Sequence, residues 1–386
     1  MDPFAEIRPF NDAEVPAALQ RLLADAEFIE AITRLRFAWL PGSLSGLLHP
    51  LVRAGLRREL ASVDGVESLQ HVIESYMSRM IEDSTTGFTV SGLDELPESP
   101  ACLFMSNHRD ITLDPAFTNY ALYHQGRQTV RIAIGDNLLT KPYVSDLMRL
   151  NKSFIVQRSA RGPRQILKAY QGLSAYIRHS IREEQVSIWM AQREGRAKDG
   201  IDRTEPAIIK MLAMSRNKHE QGFAEHISSL RIVPVSISYE LDPCDAMKAA
   251  ELHQLADTGD YEKDENEDVT SIATGIAGEK GHVHVAFGHP MLSELDSPEA
   301  VAAAVDRQII SNYRLHSSNV YAWRMLHGES TSLPEGEEVI AGSCSKEAFQ
   351  QRIEAMPREQ RELALGIYAN VISAKQRLAE SSDSGQ

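Results

Sequence analysis

Cys102-Leu-Phe-Met-Ser106-Asn-His108-Arg-Asp110-Ile-Thr-Leu-Asp114-Pro-Ala-Phe-Thr-Asn-Tyr120-Ala-Leu-Tyr-His124 runs from an apolar stretch of strand length, through a polar turn, into a helical pattern. The apolar run Cys102–Ser106 predicts a strand bounded by turn residues. Asp114 before Pro115 is a common N-cap and first-turn pair, and Ala116–His124 has helical spacing. Further strands are expected at Thr129–Ile134, Ser153–Gln157, Ser187–Ala191, Arg231–Tyr239 and His282–Phe287. Between them, helices are expected at about Leu138–Leu150, Pro163–Glu183 and Pro206–Met214. Strand and helix in alternation imply an α/β fold with a largely parallel sheet covered by helices. Ligands of such sheets sit beyond the carboxyl ends of the strands, where the Asn107–Asp114 turn lies.

Outward from this centre the texture changes. Residues 1–85 read as a helical N-terminal region, with apolar positions at helical spacing in Ala17–Ile32 and Leu69–Ile81. Between these, the apolar segment from Phe37 leads into Arg53, Arg57 and Arg58, a pairing that suits a membrane interface or, equally, a buried interdomain loop and helix. The α/β domain is expected over 86–330, with the motifs within 103–237 and a polar, acidic loop at Asp257–Glu279. A mostly helical C-terminal region follows, including Ser297–Leu315 and Ser345–Leu378. The extension over 331–386 would end in a disordered tail after Leu378.

At 386 residues, 42% hydrophobic and 24% charged, the chain has the composition of a globular protein able to bury a sizeable core. Cys102, Cys244 and Cys344 are far apart and form no Cys-x-x-Cys pair, so neither a disulfide framework nor a zinc cage is indicated. With no secretory pattern at the start and no apolar run of roughly 18 residues, a cytoplasmic location with peripheral membrane contact is the expectation. The net charge of −14 argues against nucleic acid as a partner. That average conceals an asymmetry: residues 101–200 hold 15 Lys and Arg against 8 Asp and Glu, +7, which leaves −21 on the remainder. A basic centre in an acidic chain suits a small anionic ligand such as a phosphate ester.

His108, in the turn after the first strand, can act as a general base if a carboxylate fixes its tautomer. Asp110 and Asp114 compete for that role; the bland alternatives are a loop hydrogen bond for Asp110 and helix capping for Asp114. His-Arg-Asp also opens the protein-kinase catalytic loop, but the Asn that the pattern needs five residues after Asp110 is Pro115 here. A second strand ends on Arg158, followed by Arg161 and Arg164, placed to grip a phosphate by paired hydrogen bonds. The third runs into Arg193-Glu194-Gly195-Arg196-Ala-Lys198, where Gly195 lets backbone approach a ligand and Arg196 and Lys198 add charge. Glu194 could orient hydroxyls or those cations. Pro234 within Ile232-Val-Pro-Val-Ser-Ile237 implies an edge strand or a bulge. His282 and His284 would share a strand face, but no carboxylate or Cys completes a ligand set, so no metal is expected.

In order and content these motifs resemble the glycerophosphate and lysophosphatidate acyltransferase family. The matching residues are His108 with Asp114, Phe154-Ile-Val-Gln-Arg158, Glu194-Gly195-Arg196 and Val233-Pro-Val235, over about residues 86–240. Tyr120-Ala-Leu-Tyr-His-Gln-Gly126 is similar to the stretch that follows the first motif in glycerol-3-phosphate acyltransferases. The family spaces His and Asp by four residues; here there are five, so either a one-residue bulge precedes the helix or Asp110 is the partner. Arg193 stands where a small or apolar residue is expected. The resemblance implies transfer of a fatty acyl group from acyl-CoA or acyl carrier protein, with no further cofactor, to a hydroxyl of glycerol-3-phosphate or 1-acyl-glycerol-3-phosphate. It implies His108 as base with Asp114 orienting it, and Arg158, Arg196 and Lys198 on the phosphate. A lipid or thioester hydrolase, or a catalytically silent lipid-binding protein, is the alternative.

Overall fold

The computed structural model describes residues 2–37, 45–264, 267–291 and 294–383. In chain order the main elements are α1 (Val15–Ala24), α2 (Ala26–Arg36), α3 (His49–Glu59), α4 (Val66–Ser84), β1 (Thr85–Ser91), β2 (Leu103–Ser106), α5 (Leu113–His124), β3 (Arg131–Gly135), α6 (Pro142–Leu150), β4 (Ser153–Val156) and α7 (Pro163–Arg182). There follow β5 (Ile188–Ala191), α8 (Pro206–Leu212), α9 (Phe223–Ser229), β6 (Ile232–Tyr239), α10 (Asp245–Thr258), α11 (Glu267–Ala277), β7 (Gly281–Phe287), α12 (Pro298–Asn312), α13 (Ser317–His327), α14 (Lys346–Glu354) and α15 (Arg361–Asp383). The chain divides into two compact units, one of residues 1–78 and 130–176, the other of 79–129 and 177–386. No helix among the described residues is long and apolar enough to cross a membrane.

In the first unit, β3 and β4 pair in parallel, with Ile132 opposite Ser153 and Gly135 opposite Val156. Its core gathers Val15, Leu19 and Leu22 of α1, Phe28 and Ile29 of α2, Val52 and Leu56 of α3, and Leu150. The apolar pattern Ala17–Ile32 folds as two helices. Asp25 breaks it, because its carboxylate accepts from the Phe28 N–H at 2.9 Å and caps the second helix. Of the apolar segment begun at Phe37, residues 38–44 lie outside the described residues.

The main sheet within the second unit runs in the order β1-β7-β6-β2-β5. All neighbours are parallel except β6 and β7. Every residue of β6 is buried, as befits a strand covered on both faces. Ser106 lies opposite both Ala191 and Val235, so β2 and β5 end at one level while β6 runs on past them to Tyr239. A cluster around Leu241, Tyr313, Trp323, Phe349 and Tyr368 joins α13, α14 and α15 into the core of this unit.

Three expectations are corrected here. Pro234 sits in β6, an interior strand, rather than at an edge. Its carbonyl faces Gly288, whose N–H donates to it at 2.8 Å, just past the end of β7 at Phe287. The missing N–H of Pro234 therefore falls where the neighbouring strand has already left, and no ladder bond is lost. The polar stretch Asp257–Glu279 is not a loop throughout: α10 reaches Thr258 and α11 occupies Glu267–Ala277. α11 buries the small residues Ser271 and Gly275, which hydropathy alone does not flag. The C-terminal helix continues past Leu378 to Asp383, since Ala379 and Glu380 are good helix formers at the end of a helix already packed.

Candidate active site

The turn after β2 is fixed by its own polar groups. Asn107, fully buried, accepts from the Ile237 N–H at 2.8 Å and donates to the Ile237 carbonyl at 3.0 Å, tying the end of β2 to β6. On the other side, the Gln192 N–H donates to the Ser106 carbonyl at 2.8 Å. The His108 carbonyl accepts from the Ala197 N–H at 2.8 Å, so the Glu194–Lys198 turn is anchored to the histidine turn.

His108 Nδ1 lies 2.8 Å from Asp114 Oδ2; the His108 side chain is 14% exposed, the Asp114 side chain 0%. The same Oδ2 accepts from the Arg109 N–H at 2.7 Å and the Asp110 N–H at 3.0 Å. The other oxygen, Oδ1, accepts from the Tyr239 hydroxyl at 2.7 Å. Asp114 accepts from these donors and is held in place by them, which makes Nδ1 the protonated nitrogen and leaves the Nε2 lone pair as the basic site. Burial and the Asp114 charge push the Tyr239 phenol well above its usual range, so it stays a donor.

Asp110 faces the start of α5. Its Oδ1 accepts from the Thr112 N–H at 2.9 Å and the Leu113 N–H at 2.8 Å, satisfying two of the orphan donors of the first helical turn. The two carboxylates thus divide the work in a way the sequence left open: Asp110 closes the loop on the helix, and Asp114, in the first turn of α5, reaches back to the histidine. Burial and then the neighbouring Asp114 raise the Asp110 carboxyl above the ordinary carboxylate range. α11 packs tightly here: a Cβ on Gly275 would stand 2.3 Å from Asp110 Oδ2.

Beneath the turn lie groups that sequence reasoning missed. Arg109 turns inward and donates to Asp202 Oδ2 at 2.7 Å and to the Gly200 carbonyl at 3.1 Å. Burial opposes the charge on Arg109, but Asp202 beside it holds the guanidinium above its usual value. Lys248 of α10, 2% exposed, donates to the Arg109 carbonyl at 2.7 Å and pairs with Asp242. Burial alone would raise the Asp242 carboxyl, yet Lys248 brings it below the ordinary range. Tyr239 and Asp242 close an apolar strand with polar groups, the one signal that could have found them. Arg109 and Asn107 stood within the motif itself.

The remaining predicted residues are placed as follows. Gly195 has φ +73°, a left-handed conformation that disfavours any side chain at the tip of the Glu194–Arg196 turn. Glu194 is exposed, while Arg196 is half-buried and donates to Ser271 Oγ of α11 at 3.1 Å. Lys198 pairs with Glu251 of α10 and lies 5.8 Å from the centre of the Tyr261 ring. Ser271 and Tyr261 come from the stretch expected to be a polar, acidic loop. Arg158 belongs to the other unit, where its backbone N–H donates to Asp136 at 3.0 Å and its Cδ lies 2.9 Å from where a Cβ on Gly135 would stand.

His282 and His284 do share a face of β7, as read from sequence. Thr89 Oγ1 bridges His282 Nε2 at 3.1 Å and His284 Nδ1 at 2.7 Å, and His282 Nδ1 lies 3.0 Å from His316 Nε2. Burial lowers the His284 ring to about 4 and the His316 ring to about 3. Among the described residues no set of His, Cys, Asp and Glu is arranged to hold a metal ion.

Residues 87–238 match the family model of the acyltransferases. The glycerol-3-phosphate acyltransferase of Pseudoalteromonas translucida (strain TAC 125) is 27% identical over 178 residues, 45% of this chain and 21% of that protein. The match thus spans about a fifth of that relative's length. Of solved structures, the 1-acyl-sn-glycerophosphate (LPA) acyltransferase from Thermotoga maritima superposes with a TM-score of 0.36 at 14% identity, over 72% of this chain and 92% of that one. Through residues 87–238, the chain is similar to the acyltransferase family.

Proposed function

We propose that this protein transfers a fatty acyl group from a thioester, acyl-CoA or acyl carrier protein, to a hydroxyl of glycerol-3-phosphate or 1-acyl-glycerol-3-phosphate. The observation that carries the reading is the His108–Asp114 pair at 2.8 Å, partly exposed at the histidine and buried at the carboxylate, within the stretch that matches the acyltransferases. Nε2 of His108 takes the proton of the acceptor hydroxyl, Asp114 stabilises the imidazolium, and the oxygen attacks the thioester carbonyl. Collapse of the tetrahedral intermediate expels the thiolate, to which His108 returns the proton. The general base supplies about 10²–10⁴-fold, and positioning and charge stabilisation supply the rest. Arg196, with Lys198, is the proposed cation for the acceptor phosphate, and Glu194 the residue that orients the glycerol. Arg158 joins this proposal on its motif alone. The glycerolipid acceptor class is supported by the named activity of the Pseudoalteromonas relative.

The test is transfer of a radiolabelled acyl group from each donor to each acceptor, wild type against His108→Ala. Labelled lipid that drops by at least about 10²-fold in the variant supports the reading. Full activity in the variant sinks the mechanism. Release of free fatty acid without acceptor would reassign the protein as a hydrolase, and binding without turnover as a lipid-binding protein.

A further inference from the structure

Between Asp146 and Glu183 this acidic chain carries eight Lys and Arg and no Asp or Glu. The middle of that stretch is the start of α7. Residues 161–168 are all exposed, so the first turns of the helix are only partly covered, whereas Leu173, further along, is 6% exposed. The apolar stripe that packs at Leu173 does not stop where packing stops. It continues toward the N-terminus through Tyr170, Leu167 and Ile166, which are 40%, 49% and 37% exposed. At helical spacing these share one face, while Arg164 and Lys168 fall on the opposite flank. A helix end with little tertiary cover is marginal in water, and an apolar face left open beside cations is the composition of a helix that lies in a lipid interface. The same unit repeats the composition around α3: Leu47, in the short turn before the helix, and Leu51, within it, are 78% and 64% exposed and are followed by exposed Arg57 and Arg58. Two separate helices with open leucines and arginines suit an extended anionic surface better than a single groove-bound partner.

We propose that the start of α7, with Ile166, Leu167 and Tyr170 as apolar anchors and Arg161, Arg164 and Lys168 as their cationic flank, docks on an anionic phospholipid surface. The inference does not depend on acyl transfer. Each cation near such a surface strengthens binding about fivefold, and a leucine side chain withdrawn from water about tenfold or more.

The experiment is co-sedimentation of the full chain with vesicles of phosphatidylcholine alone and with phosphatidylglycerol added, at physiological and at high salt. Wild type is expected on the anionic vesicles only, with release at high salt. Arg164→Gln with Lys168→Gln should weaken binding about 25-fold, and Leu167→Gln about tenfold. Circular dichroism checks that the variants fold, and the single variant Arg164→Gln, on the exposed flank, keeps the charge arm testable if the others do not. Absence of binding to either vesicle, or variants that bind as wild type does, overturns the proposal. So does loss, in these variants, of binding to acyl carrier protein while vesicles never bind, which would assign the helix to an acidic protein. His108→Ala should bind vesicles as wild type does, so failure of the catalytic mechanism and failure of this surface remain separable.

Discussion

Replacing Asp114 by Asn tests the division of labour between the two carboxylates. Asp114 Oδ2 faces three donors, His108 Nδ1 and the N–H groups of Arg109 and Asp110, while Oδ1 faces a hydroxyl. An asparagine amide can therefore keep its oxygen toward the three N–H groups and turn its NH₂ to Tyr239, whose hydroxyl can accept. Geometry and tautomer survive; the negative charge does not. With the Nδ1···Oδ2 distance at 2.8 Å the charge centres of imidazolium and carboxylate are about 4 Å apart, and their attraction at an effective dielectric of about 20 is about 4 kcal/mol. Asp114→Asn should therefore lower kcat/KM for acyl transfer by about 10³-fold. The melting temperature should change little. Asp114→Ala should be equally inactive and also less stable, because the Arg109 and Asp110 N–H groups and the Tyr239 hydroxyl lose their acceptor at about 1–3 kcal/mol each. Asp110→Asn retains a carbonyl oxygen for Thr112 and Leu113 and should stay within about tenfold of wild type. Steady-state kinetics with radiolabelled acyl-CoA, beside thermal melts, separates these outcomes. An Asp110→Asn variant as impaired as Asp114→Asn, or an Asp114→Asn variant within tenfold of wild type, would refute the assignment.

Other outcomes follow from the same geometry. Tyr239→Phe removes one hydrogen bond to Asp114 without touching substrate, so kcat should fall by about tenfold with KM unchanged; a rise in KM alone would argue against a positioning role. Asp202→Ala strands Arg109 in the interior and should cost about 3–5 kcal/mol by denaturant unfolding, whereas a loss below about 1 kcal/mol would mean that water reaches the guanidinium. His284 and His316 titrate at about 4 and about 3 in the fold, below the usual histidine value. The unfolded chain binds protons more readily there, so stability should be complete at neutral pH. Below about pH 6.5 it should fall by up to roughly 1.4 kcal/mol per unit for each ring, and His316→Gln should flatten that slope in melts across pH.

The alternation of short apolar strands with helices was legible because buried parallel strands read as continuous runs, and six of the seven strands labelled above stood out that way. The seventh, β1, lies at the end of its sheet and is only partly buried. Its Thr85-Thr-Gly-Phe-Thr-Val-Ser91 mixes β-branched residues with polar ones, which weakens the apolar signal. His108 and Asp114 were legible as a pair by resemblance, but not which carboxylate turns toward the ring, since that depends on the backbone path between them. Tyr239 was marked only as a polar group closing an apolar strand, and Asp202 and Lys248 were not legible at all. Each meets the histidine turn from more than ninety residues away in sequence, and nothing local marks a buried tyrosine as a partner of a particular aspartate.

The histidine turn also carries a constraint on how the protein is made. Asn107 is held by Ile237, 130 residues later, and between them the chain leaves one unit at Thr129 and returns to it at Ile177. At common rates of translation, on the order of 10 s pass between the emergence of the turn from the ribosome and that of the strand that clamps it. For the first part of that interval, until β5 follows at Ile188–Ala191, β2 is an apolar segment with neither flanking strand in place, a surface of the kind that chaperones cover before the chemistry exists.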